Sequence, residues 1–174
     1  MNPISPNALC PCNSQLSYAD CCQTLHSSSN MATTAEQLMR SRYCAFVVED
    51  YRYLIDTHYK DFLHGLTQAQ LAQNNPQWLS LEVIEHQLLS ANPTVKNRIA
   101  FNHNYPDLPQ AMVIFKAWYK TDKSVDVIYE ASHFVFESNR WFYTYGEQMD
   151  CPLPTRNEAC ICLSGKKFKQ CCGR

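Results

Sequence analysis

No run of about eighteen apolar residues exists in this chain, so no helix long enough to cross a bilayer is expected. Met1-Asn-Pro-Ile-Ser-Pro6 lacks the basic start and apolar stretch of a secretory leader. Net charge is -1 over 174 residues, so no global basic field draws the chain to nucleic acid or to an anionic membrane. At this length a second full-sized domain does not fit, while 45% apolar residues suffice for one core. A soluble cytoplasmic protein with one main domain is the expectation. Lysine and arginine are also missing from residues 1–30, whereas residues 156–174 hold Arg156, Lys166, Lys167, Lys169 and Arg174 against Glu158. The basic end suits an acidic partner.

Cysteine, by contrast, is abundant. Of ten, eight form two matched quartets: Cys10-Pro-Cys12 and Cys21-Cys22, then Cys160-Ile-Cys162 and Cys171-Cys172, each pair separated from its mate by eight residues. Cys44 and Cys151 lie outside the pattern. Cytoplasmic thiols stay reduced, which favours metal over disulfides or free surface thiols. Zinc takes four thiolates in a closed tetrahedron with no open position for water, so the expected cofactor is zinc at two structural or binding sites, with iron as the other ion. Ser14 and Ser164 are placed to cap short helices over 15–21 and 165–171 that carry the second cysteine pair back to the first. Tyr18 and Phe168 would pack beneath the metal. Four thiolates on a divalent ion leave a charge of -2; Lys166, Lys167 and Lys169 offset it at one end, and nothing in the neighbouring sequence does so at the other. His26 is the one histidine close enough in sequence to replace Cys22, against the simpler reading of a solvated linker residue.

The quartets bracket the chain as modules 1–24 and 159–174, joined by linkers 25–33 and 148–158 to a central domain 34–147. Thr33 and Glu36 form a capping box that starts a helix at Thr34. Apolar spacing predicts helices over 34–48 and 50–59, with a break at Glu49-Asp50, and a third over Thr67 to Asn74. Strands follow at Leu79–Val83, Met112–Tyr119, Val125–Phe136 and Trp141–Tyr145, with turns at 121–124 and Ser138-Asn139. The stretch 91–109, which contains Pro93, Pro106 and Pro109, reads as a long loop at the rim of the sheet with one short strand at Ile99–Phe101. Helices before an antiparallel sheet make an α+β fold; a sheet curled around its helices would form a cone.

Cys160-Ile-Cys162-Leu-Ser-Gly-Lys-Lys-Phe-Lys-Gln-Cys171-Cys172-Gly173 resembles the SEC-C motif, the zinc-binding tail of the SecA translocase ATPase. With Leu38-Met39-Arg40-Ser41-Arg42-Tyr43, Glu130, Ser132, Phe134 and Arg140-Trp141-Phe142-Tyr143, the chain as a whole resembles the bacterial YchJ family. That resemblance implies a cone-like, nuclear-transport-factor-2-like central domain. It also implies a protein partner of the chaperone, translocation or ribosome class, with nucleic acid reached only through the ribosome. The family's Gly-Ser-Gly stands here as Asn13-Ser14-Gln15 and Leu163-Ser164-Gly165.

Cones of this type can hold a pocket, for which Asp56, His58, His103, Glu130 and His133 are candidates, with Ser132, Arg40 and Arg42 beside Glu130 as its other possible lining. Strand parity puts Glu130, Ser132 and Phe134 on one face and Tyr129, Ala131 and His133 on the other, and only one set enters the cone. An ion pair from Arg40 or Arg42 to Glu130 is the structural alternative to a pocket; His133 reads as a surface or satisfied core residue. Three functions compete: a non-enzymatic binding protein that recognises its partner through Lys166, Lys167 and Lys169, a metal-handling protein, and a small-molecule-binding or enzymatic cone. A cone filled by Trp118, Phe134, Trp141 and Tyr143 would exclude the third.

Overall fold

A computed structural model describes residues 4–73, 75–92, 97–121 and 124–174. Asn74, Pro93 and the centre of the 121–124 turn therefore lie outside the described residues. Four strands, β1 (Gln77–Leu89), β2 (Gln110–Lys120), β3 (Val125–Glu137) and β4 (Arg140–Gln148), pair antiparallel in chain order. Ser138 and Asn139 join β3 to β4 with φ of 50° and 62°, the left-handed pair that a two-residue hairpin of matching twist requires.

Helix α1 (Cys22–His26) closes the first cysteine module, and α2 (Ala35–Val48), α3 (Tyr51–Asp56) and α4 (Gln68–Gln73) follow. The box that starts α2 is one residue later than its sequence signature. Thr34 accepts from the Gln37 amide at 3.1 Å, and Gln37 Oε1 accepts from the Thr33 amide at 2.7 Å. Glu36 is thereby released to pair with Arg40 at 2.9 Å. Helix α3 stops before residue 59 because the chain must turn to lay Tyr59 along β4, where its amide donates to the Tyr143 carbonyl at 2.7 Å.

The sheet is buried on both faces. Leu38, Met39, Tyr43 and Val48 of α2 pack on Leu81, Val113, Phe115, Phe134 and Trp141. The opposite face carries Met112, Ile114 and Ala131 beneath Ile99, which is fully buried. Residues 97–109 thus lie over the outer face rather than at the rim, and Ile99–Phe101 is an irregular cover with no strand. Gln110 holds it there by donating to the Asn102 and Tyr105 carbonyls, both at 2.9 Å.

His133 belongs to this outer layer and is a satisfied core residue. Its Nε2 lies 2.9 Å from Gln110 Oε1, its Nδ1 lies 2.7 Å from Thr144 Oγ1, and its ring stacks on Tyr145. Burial lowers it from 6.5 to about 4. A base depressed on folding contributes stability that is complete above about pH 6.5 and is lost as pH falls toward 4. His133→Asn is expected to be less stable at pH 7 and to flatten the fall in unfolding free energy between pH 6.5 and 4.5 relative to wild type, as read by denaturant titration.

Candidate metal centres

Each cysteine quartet closes through a small hairpin. Cys10 donates its amide to the Leu16 carbonyl and Tyr18 to that of Ala8, both at 2.8 Å. The second copy repeats both bonds 150 residues later, Cys160 to Lys166 and Phe168 to Glu158, again at 2.8 Å. No helix forms over 15–21, and within 165–171 there is only a single 3-10 turn, Phe168–Gln170, in place of the expected two-turn helix. The turn instead needs two left-handed residues, Asn13 and Gln15 at φ 60° and 67°, and Leu163 and Gly165 at 59° and 74°, and such residues cannot continue a right-handed helix. Ser14 and Ser164 accordingly cap no helix; their hydroxyls lie 3.2 and 3.4 Å from the sulfurs of Cys21 and Cys171.

In each quartet the four sulfurs lie within 4.8 Å of one another. Measured separations are 3.6 Å for Cys12–Cys21, 3.8 Å for Cys21–Cys22, 3.4 Å for Cys160–Cys162 and Cys162–Cys171, and 4.0 Å for Cys171–Cys172. A metal–sulfur bond of about 2.3 Å in a tetrahedron sets edges of about 3.8 Å, whereas a disulfide brings sulfurs to about 2 Å. All ten cysteines are free thiols. Both quartets therefore fit a metal ion held by four thiolates, which would cross-link each hairpin.

Their surroundings differ. Cys10, Cys12, Tyr18 and Cys22 are buried in the main core with α2. Arg40 reaches across from α2 to donate to the Cys12 carbonyl at 2.9 Å. Helix α2 thus brings a guanidinium, itself paired with Glu36, to an end whose own sequence has no Lys or Arg, and Arg40 does not pair with Glu130. His26 is no ligand: it lies 3.0 Å from the Tyr18 hydroxyl and 2.9 Å from the Ser41 carbonyl. Cys44, outside the sequence pattern, is fully buried and belongs to the same core cluster as Cys10, Cys12 and Cys22. At the other end only Cys160 of the quartet is buried, and Leu163, Lys166, Lys167 and Lys169 are exposed. Both modules touch edge strand β1, Asn13 at the Leu81 carbonyl and the Ile161 carbonyl at the Ser80 hydroxyl.

A second site is a cavity of about 300 Å³ between α2, α4 and the sheet. Arg42, His58, Glu130, Ser132 and Tyr143 line it, among Phe46, Trp78, Phe115 and Ile128. Arg40 does not, Asp56 is exposed in a pair with Arg52, and His103 is exposed. Trp118 and Trp141 are not in its lining, so the four aromatics expected to fill the cone leave it open. Arg42 donates to the Leu54 carbonyl and the Thr57 hydroxyl, each at 2.7 Å, and its guanidinium lies 4.7 Å from the Tyr143 ring centre. It forms no ion pair with Glu130 among the described residues. Glu130 accepts from Ser132, Tyr143 and Gln148 and lies over Gly146, where any Cβ would collide with it. Burial raises its carboxyl above the ordinary range, against the pull of these donors and of Arg42. Only Cys44 and Arg40 escaped the sequence reading of the centres; their one signal is that both lie on a helix beginning just after the first module.

The unequal burial predicts unequal consequences of metal loss. Cys12→Ser is expected to destabilise the central domain by about 3 kcal/mol or more, a core-sized loss. Cys162→Ser is expected to leave its melting temperature within about 2 °C while amide resonances of residues 156–174 lose dispersion. Thermal unfolding and heteronuclear spectra of the two variants check this.

Residues 34–146 match the family described as YchJ, middle NTF2-like domain, and residues 7–24 and 156–174 match the SEC-C motif. A UPF0225 protein of Shewanella sp. strain MR-4 is 53% identical over 169 residues, with 94% of each chain covered, and one from Actinobacillus succinogenes is 36% identical, with 95% of this chain and 97% of that one covered. A SEC-C motif containing protein from Psychrobacter arcticus is similar in structure, with TM-score 0.61, 30% identity and 97% of each chain covered. Another from Rhodopseudomonas palustris shares the fold at TM-score 0.65, with 24% identity, 82% of this chain and all of that one covered. The chain belongs to the YchJ (UPF0225) family, with an NTF2-like central domain between two SEC-C motifs.

Proposed function

We propose that this protein is a non-enzymatic, zinc-stabilised interaction module whose C-terminal knuckle contacts a protein partner in the cytoplasm. The observation that carries the reading is Leu163. It is 60% exposed, apolar and held at φ 59°, beside the exposed side chains of Lys166, Lys167 and Lys169. A left-handed non-glycine residue costs roughly 1–2 kcal/mol, and such strain persists where the strained residue is used. The three lysines form no ion pair among the described residues, leaving a basic surface for an acidic partner. Resemblance of this knuckle to the SecA tail supports a partner of the chaperone, translocation or ribosome class. Four thiolates suit zinc; iron is the other ion of the same geometry.

Elemental analysis of untagged protein made without metal supplements is expected to give two zinc per chain. The triple variant Lys166→Glu, Lys167→Glu, Lys169→Glu should keep both metals and lose the partners retained by wild type; an unchanged partner list sinks the recognition role. Leu163→Gly separates strain from contact: metal binding at the C-terminal centre tightens by about 1 kcal/mol while partner retention weakens.

The cavity favours a second reading, a small-molecule-binding cone. An apolar enclosure of this size with a few converging polar groups is the usual form of a ligand site, and Arg42, Glu130 and His58 supply those groups. Native mass spectrometry of the metal-loaded protein is expected to show a retained small molecule that Ala117→Trp, which fills the cavity, removes. A mass of chain plus metals alone in both proteins rejects this reading.

A further inference from the structure

A fifth thiol lies in the core beside the first centre. Cys44 is fully buried on α2, packed in the same core cluster as Cys10, Cys12 and Cys22. It lies one turn after Arg40, on the side of α2 that faces the first module and in the same cluster as Cys10 and Cys22. It is not a member of the set whose sulfurs all lie within 4.8 Å of one another. The second centre has no equivalent among the described residues: Cys151 turns to the Pro152 carbonyl at 3.5 Å.

Helix α2 holds Cys44 in place from the same face that grips the module. Arg40 bonds the Cys12 carbonyl, the Ser41 carbonyl meets His26, and Cys44 follows one turn after Arg40. The two bonds at positions 40 and 41 hold this face of the helix against the module, and Cys44 with it. Four-coordinate zinc leaves it outside the shell while all four ligands are present.

We propose that Cys44 is a reserve ligand of the N-terminal centre, which supplies the fourth sulfur when Cys10 or Cys22 is lost. The exchange needs no oxidant. The departing sulfur leaves with a proton, the Cys44 thiol gives one up, and the metal keeps four thiolates and its charge. The C-terminal centre has no such substitute and loses a sulfur with any ligand.

This inference rests on the metal-binding reading above, and cobalt(II) as a spectroscopic probe separates the two. The full chain is used with Cys160, Cys162, Cys171 and Cys172 changed to Ser, so that only the first centre fills. With Cys10, Cys12, Cys21 and Cys22 intact, cobalt should give a four-sulfur spectrum that Cys44→Ala leaves unchanged. If this parent takes up no cobalt, the metal reading itself fails. Cys22→Ala and, as a second variant, Cys10→Ala should each keep the four-sulfur charge-transfer intensity, and adding Cys44→Ala to either should remove about a quarter of it, one sulfur of four. Loss of that quarter, or of cobalt binding, in both single variants overturns the reserve role. So does retention of all four sulfurs in the double variants. A Cys44→Ala parent that already lacks one sulfur would make Cys44 a resident ligand and overturn it as well.

Discussion

Packing three cysteines of a metal-binding quartet into a hydrophobic core, with the fourth, Cys21, at its edge, is the constraint on which the rest of this structure depends. Thiolates taken out of water need a cation and hydrogen-bond donors. Helix α2 answers with one face: Arg40 at the Cys12 carbonyl, the Ser41 carbonyl on His26 and Cys44 in the same core cluster as Cys10 and Cys22. Its other face carries Met39 and Tyr43 onto the sheet. The first cysteine module is therefore a layer of the central domain and not an appendage to it.

The same hairpin appears again at residues 156–174 with its bonds conserved in register, yet it docks far more lightly. Two copies of one local geometry thus occupy different energetic roles. Where the sulfurs are buried, metal ligation and core packing reinforce each other. Where they are only partly covered, ligation must hold the hairpin nearly alone, and its surface stays free for contact. Both copies meet β1 at neighbouring residues, Leu81 and Ser80, so the edge strand that would otherwise be open to pairing is partly covered.

Arg42 shows how close the central domain comes to a simpler design. A buried ion pair with Glu130 would have closed the cavity. Instead the guanidinium is spent on the end of α3 and on Tyr143, and Glu130 is held by Ser132, Tyr143 and Gln148 over the gap left by Gly146. Two opposite charges face one apolar space without touching, which is why the cone stays open.

Some of this was written in the chain directly. Matched cysteine spacings, the break at Glu49-Asp50, the alternation in the strands and the Ser138-Asn139 turn are local signals, each read over a few residues whose backbone geometry they dictate. The helices expected inside the knuckles failed because Ser14 and Ser164 looked like caps, whereas Asn13 and Leu163, which stand where the motif usually has glycine, turn left-handed to bring the sulfurs together. The burial of Ile99 on the outer face, the diversion of Arg40 to the first module and the place of Cys44 all depend on contacts between distant residues. Spacing along the sequence determined which cysteines belong together. Tertiary packing alone decided which quartet is core, because burial depends on what the rest of the chain lays over it.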